Sequence, residues 1–175
     1  VEFSDTPLAK EMFSQLKFAP GPAVLSRRAN GNTPEGVALN EASATSAAQL
    51  IIKWADRRRA VVEESKIFLS HKSADKDIVT PIYETLRLIG LNPWLDIVDA
   101  ERGKPLVRVL DTNVDASSMT VFFVSSSFVD DGYIGVEIDR ALHKRVKTPD
   151  FRILTLVLLD HGGNWENVPR SLSHL

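Results

Sequence analysis

From Lys66 onward the sequence predicts an α/β fold with a parallel sheet. Short β-rich apolar runs, "KIFLS", "LNPWLD", "MTVFFVS" and "RILTLVLL", are separated by segments whose apolar residues recur at helical spacing. Strand and helix alternating in this way read as right-handed βαβ units. The runs "MTVFFV" and "ILTLVLL" are apolar without alternation. Strands covered by helices on both faces have that pattern, which places these two at the sheet centre. Breaking residues stand at the joints: Gly90 after the first helical pattern, Gly103 with Pro105 before the second, and "DHGGN" after the last strand.

Taken in order, residues 1–64 read as an N-terminal extension and residues 65–175 as the domain. The stretch "FAPGPAVLSRRANGNTPEGVALNEASATSA" carries Pro, Gly, Asn, Ser and Ala without sustained periodicity, the composition of a linker or a partly ordered segment. Between Ser46 and Glu64, "SAAQLIIKWADRRRAVVEE" sets Leu50, Ile51, Trp54, Val61 and Val62 near one helical face, interrupted by Arg57, Arg58 and Arg59. A helix over about 46–64 that lays its Trp54 stripe on the following domain is expected, because exposing such a stripe is unfavourable. An oligomer-forming or domain-linking helix is the other reading. Removal of residues 1–40 is then expected to leave the fold intact. The later helical patterns are Ile78, Ile82, Leu86 and Ile89; Leu106, Leu110 and Val114; and Ile134, Ile138 and Leu142.

A chain of 175 residues with 43% hydrophobic and 25% charged residues can bury one full core with a short appendage. A net charge of -2, from 21 Lys and Arg against 23 Asp and Glu, provides no field that would gather nucleic acid or an anionic membrane, so neither is expected as a partner. Without cysteine there is no disulfide framework and no thiolate metal site. His71, His143, His161 and His174 lack metal-ligand spacing, so no metal is expected. No apolar run reaches the roughly 18 residues that would span a bilayer, and a cytoplasmic location fits best. The chain begins at Val1 without a Met, as a piece of a longer protein would.

In an open parallel sheet, ligands bind beyond the carboxyl ends of the strands. The segments leaving those ends are "SHKSADKD", "DIVDAERGKPL", "SSSFVDDGY" and "DHGGNWENVP". All are polar and long enough to shape a site. None is a glycine-rich phosphate cradle, so a nucleotide bound there is held by other means.

The runs "SKIFLSHKSADKD", "GLNPWLD", "ERGKPL" and "TVFFVSSSFVDDGYIGVEI", in this order from Ser65 to about Leu175, resemble a Toll/interleukin-1 receptor (TIR) domain. The resemblance does not extend to residues 1–64. It implies a flavodoxin-like sheet of about five parallel strands with helices on both faces. It also implies an assembly loop, here Asp96 to Leu106 with Arg102, Gly103, Lys104 and Pro105, through which such domains self-associate. Many bacterial and plant members, and one animal branch, cleave NAD+ with a Glu one helical turn after an aromatic residue. The matching positions are Tyr133 and Glu137, which makes Glu137 the candidate catalytic residue. By position, Tyr133, Trp94, Phe68, His71, Lys72 and Asp96 are the candidate substrate-binding residues. Many NAD-cleaving members have Trp where this chain has Tyr133, which would change stacking and the split between hydrolysis and cyclisation.

The chemistry allows a single carboxylate to suffice. Glycosidases need a second acid to protonate a poor leaving oxygen, whereas the nicotinamide of NAD+ is already cationic and departs neutral. What remains is to stabilise an oxocarbenium-like ribose with an anion and hydrogen bonds. Glu137 and Tyr133, at i and i+4, lie on one stripe and would face one pocket, beside the Ile134, Ile138 and Leu142 stripe that faces the sheet. Tyr133 or Trp94 could stack on substrate, and a cation near Lys72 could meet the pyrophosphate. NAD+ is thus substrate, and no cofactor is expected.

Plainer readings stand beside these. Trp94 reads first as a core residue, Asp96 as a strand end, Asp130 and Asp131 as acids at a helix N-terminus, and Arg102 with Gly103 as turn chemistry. His71 reads equally as a substrate contact and as a cap. Two functions remain open: an NAD+ glycohydrolase or ADP-ribosyl cyclase acting as a defence effector activated by self-association, or a non-enzymatic TIR adaptor working through TIR to TIR contacts. A nucleoside-sugar transferase would want a second, nucleophilic carboxylate, and none stands at a convincing place.

Overall fold

A computed structural model describes residues 24–27, 35–39, 44–55, 66–95, 112–128 and 132–173. Its strands are β1 (Val24–Arg27), β2 (Glu35–Leu39), β3 (Lys66–Ser70), β4 (Asn92–Trp94), β5 (Ser117–Val124) and β6 (Arg152–Leu158). The helices are α1 (Ala44–Ala55), α2 (Lys76–Leu88), α3 (Gly132–Lys147) and the short α4 (Arg170–Ser173), with a further helical stretch over 112–116. One six-stranded sheet runs in the order β1-β2-β6-β5-β3-β4. β5 lies between β3 and β6, and β6 between β5 and β2, each pair parallel, so both continuous apolar runs are interior strands as their pattern requires.

Alternate side chains of the central strands serve two cores. Met119, Val121 and Phe123 of β5, with Leu154, Leu156 and Leu158 of β6, pack under α1 and α2. Phe122, Val124, Ile153 and Val157 point the other way and pack under α3 with Ile134, Ile138 and Ala141. Each such aliphatic or aromatic side chain contributes about 1.5–3 kcal/mol on burial, and Thr120 of β5 and Thr155 of β6 are buried among them.

α2 buries Val79, Ile82, Tyr83 and Leu86, with Ile78 partly buried at the margin. It ends where Gly90 takes φ 87, a left-handed turn that lets Leu91 N–H reach the Leu86 carbonyl at 3.0 Å. α3 buries Ile134 and Ile138, with Leu142 partly buried against them, as its spacing predicts. Of the helix expected from Leu106, Leu110 and Val114, only Val114 is among the described residues, and it is buried.

The segment before Lys66 departs from expectation. Residues 24–27 and 35–39, expected as linker, are strands: β1 pairs antiparallel with β2, and β2 lies parallel along β6 from Glu35 opposite Leu154 to Leu39 opposite Leu158. Four parallel strands therefore come from the region read as the domain, and a further parallel neighbour comes from the extension. α1 buries Ile51, with Leu50 at the core's edge, as expected, and adds Ala47, Ala48 and Ile52 to the buried face, because small alanines let α1 lie close to α2. The Trp54 side chain, Val61 and Val62 lie outside the described residues.

Removing residues 1–40 is accordingly expected to harm the protein. It would remove β2 from one edge of β6 and leave a row of unpaired backbone groups along an apolar strand, a template for aggregation. A lower melting temperature and reduced solubility of the shortened chain would check this. Equal melting and solubility would mean that β2 contributes nothing to the sheet.

α3 is fastened at its far end by charge. Arg140 makes a two-pronged contact with Asp115 through Nε (3.0 Å) and Nη2. Lys144 Nζ donates to the carbonyls of Val114 (2.9 Å), Asp115 (2.5 Å) and Ser117, and lies 4.7 Å from the Phe151 ring centre. A cation there suits the carbonyl end of the helical stretch over 112–116. The Arg140 guanidinium, by hydrogen bond and charge, holds the Asp115 carboxyl below its ordinary value, while burial pushes the Lys144 ammonium down. Asp115 is half exposed, so its ion pair contributes no more than about 1 kcal/mol.

Candidate active site

α3 runs antiparallel to the strands, with Lys144 near the start of β5 and its first turns near the strands' carboxyl ends. Glu137, two turns before Lys144 on the same stripe, therefore reaches the end of β3. There Ser70 Oγ donates to Glu137 Oε2 at 2.5 Å. Glu137 is 7% exposed and Ser70 is fully buried. A hydrogen bond of this length to a carboxylate, away from water, fixes the orientation of its oxygens.

Tyr133, one turn before Glu137 on the same stripe, is 53% exposed. Four residues of helix set it about 6 Å beyond Glu137 along the axis. The two side chains share a stripe, one sheltered and one open to solvent.

Phe68 and Ser70 are two residues apart on β3 and so project to the same face. Phe68 stacks on Trp94, its neighbour in register on β4, with centroids 5.0 Å apart and planes at 16°. Both rings are buried, so they form a packed apolar wall beside Ser70, in line with reading Trp94 first as core. His71 and Lys72, on the turn leaving β3, are half-buried. Asp96 and the assembly-loop residues Arg102, Gly103, Lys104 and Pro105 lie outside the described residues, as do Asp130 and Asp131.

A second serine and carboxylate pair, absent from the sequence reading, lies at the same end of the sheet. Ser125, just after β5, donates from Oγ to Asp75 Oδ2 at 2.8 Å, and both are buried. The loops are tied further by Ser126 N–H to the His161 carbonyl (3.2 Å) and by Gly163 N–H to the Leu158 carbonyl (2.9 Å). A carboxylate in "SHKSADKD", on a loop leaving a strand's carboxyl end, was the available signal for Asp75. Its partner, 50 residues away, had none.

Glu137 is a sheltered, oriented anion beside a stacked aromatic wall, with an exposed ring one turn away. Such an anion can stabilise positive charge developing on a substrate held above the strand ends. Among the described residues, no three His, Asp or Glu side chains lie close enough to hold a metal ion. No helix among them is long and apolar enough to cross a membrane.

A family model described as the TIR domain matches residues 67–174. Over 108 residues the chain is 32% identical to the 2' cyclic ADP-D-ribose synthase AbTIR of Acinetobacter baumannii (strain 1295743). That match covers 58% of this chain and 40% of the relative, so the chain spans well under two thirds of that protein's length. α2, α3, β4, β5, β6 and both serine and carboxylate pairs fall inside the matched residues. The parallel sheet with helices on both faces agrees with that match, and the chain belongs to the TIR-domain family.

Proposed function

We propose that this chain cleaves the bond between nicotinamide and ribose in NAD+, with Glu137 as the catalytic residue. The observation that carries the reading is the buried Glu137 carboxylate, held by the Ser70 hydroxyl at the carboxyl end of the sheet. Family membership and the likeness to a cyclic ADP-ribose synthase support it.

The bond from ribose C1′ to the pyridinium nitrogen breaks with its electron pair going to nitrogen, so nicotinamide leaves neutral and needs no proton. Positive charge then spreads over C1′ and the ring oxygen of the ribose. Glu137, already oriented, stabilises that charge without reorganising. Water attacking C1′ and losing a proton yields ADP-ribose, and a hydroxyl of the same molecule attacking instead yields a cyclic product. Tyr133 would cover the outer face of the substrate, and His71 and Lys72 would lie towards its phosphates.

The wider role we assign is that of a cytoplasmic defence effector switched on when copies associate through the loop from Asp96 to Leu106. Mixing the chain with NAD+ and separating nicotinamide, ADP-ribose and cyclic products tests the chemistry. The assay is run in dilute solution and on beads that cluster the protein. Nicotinamide release is expected to rise faster than linearly with protein concentration. A linear dependence from a monomer would remove the assembly step. No release in either state would leave a non-enzymatic TIR module that works through contacts alone.

A further inference from the structure

We infer that Asp75 is a positioning residue for this site, holding the turn between β5 and α3 through Ser125. The inference rests on the NAD+-cleavage reading and deepens it. Asp75 closes a short 3-10 turn (Ser73–Asp75) that runs directly into α2. Its side chain makes no cap bond to that helix. Oδ2 reaches away from its own helix and accepts from Ser125 Oγ at 2.8 Å, although Asp75 is 4% exposed and Ser125 1%. A buried carboxylate is costly unless it is hydrogen-bonded, so the bond from Ser125, 50 residues away in sequence, holds the two loops together at this point.

The bond has a definite mechanical consequence. A serine hydroxyl carries one proton and two lone pairs. With its proton committed to Asp75, Ser125 Oγ turns a lone pair towards Ser127 N–H, which donates to it at 3.0 Å. The Ser125 carbonyl accepts from Phe128 N–H at 3.2 Å, closing the turn. Phe128 is buried in the same apolar cluster as Ile134 and Ile138, so the turn's geometry is passed to the first half of α3, which carries Glu137. On the other side, the Asp75 backbone N–H donates to the Lys72 carbonyl at 2.8 Å. Asp75 thus joins the turn bearing His71 and Lys72 to the turn that leads to Glu137.

The test compares the full-length chain with Asp75→Ala, Asp75→Asn, Ser125→Ala and the double Asp75→Ala/Ser125→Ala. Each is measured for kcat and KM of nicotinamide release and for amide hydrogen exchange at Ser126 to Phe128. Asp75→Ala and Ser125→Ala are each expected to lower kcat about 10- to 100-fold, the cost of a misplaced group, with KM within about twofold of the parent. Exchange at the turn should rise. The double variant should be no worse than the poorer single one, because both remove one contact. Asp75→Asn, which keeps an acceptor oxygen, should retain more activity than Asp75→Ala, and it carries the test if the alanine variant fails to fold.

Unchanged exchange at the turn would overturn the inference. So would faster exchange or a lower melting temperature with kcat at the parent value, since the pair would then serve stability alone. A parent chain that never releases nicotinamide defeats the NAD+ reading and this inference with it. An active parent with unaffected variants defeats this inference alone.

Discussion

Glu137→Gln is expected to lower nicotinamide release by about 100- to 1,000-fold while the protein stays folded. Glutamine keeps the shape of the side chain and an oxygen to accept from Ser70 Oγ. It loses the negative charge, the one property that favours the transition state over ground-state NAD+. Removing one preorganised electrostatic contact typically costs about 2.7–4 kcal/mol of transition-state stabilisation. Substrate binding should change less, because ground-state NAD+ is held by other groups. Stability should hold, since the buried site exchanges a carboxylate for a neutral amide that hydrogen-bonds in the same place. Tyr133→Ala should cost less than Glu137→Gln, as expected of a half-exposed ring, and Tyr133→Trp should retain activity or raise it if the ring acts by stacking. Release at the parent rate by a Glu137→Gln protein that is folded by circular dichroism would make Glu137 a structural acid and favour the adaptor reading.

Gly163→Ala should be the most damaging single methyl group that can be added near the site. A Cβ at this position would overlap the Val124 carbonyl oxygen and come within 2.7 Å of the Leu158 carbonyl oxygen and 3.1 Å of the Leu158 nitrogen. These are backbone atoms at the ends of β5 and β6, so no side chain can swing aside. Relief requires moving a strand end or breaking the Gly163 N–H bond to Leu158. Cost at the upper end of the overpacking range, about 3 kcal/mol, would lower the melting temperature by roughly 6–12 °C in a chain of this size. Calorimetry on parent and variant checks it. A shift under about 2 °C would mean that the loop after β6 relaxes freely and does not brace the strand ends.

The residues expected at the site divide by what makes each one recognisable. Glu137 was found through its spacing from Tyr133 within a motif that resembles a known family, and the structure adds its burial and its bond to Ser70. Its partner lies 67 residues earlier, so no local pattern could pair them. Trp94 and Phe68 were legible as aromatic residues of adjacent strands. That they stack on each other follows from the register of β3 with β4. Asp75 was hidden because local rules assign an aspartate before a helix to capping, and only the approach of Ser125 offers it another partner.

The amino-acid sequence alone determined the strands β3, β5 and β6, the helices α2 and α3 that follow β3 and β5, and the Ile134 and Ile138 stripe of α3. These are local quantities: the period of apolar residues reports how many faces of a segment are covered. Tertiary structure alone decided the place of "EGVAL". That run contains Gly and Ala, carries no strong period, and becomes a strand because β6 presents an unpaired edge to it. It also decided how far round α1 the buried face extends, since Ala47 and Ala48 count as core only when α2 lies close enough to need small neighbours. Both serine and carboxylate pairs belong here as well, because a hydrogen bond across 50 or 67 residues depends on sheet order and helix position, which no stretch of chain encodes by itself.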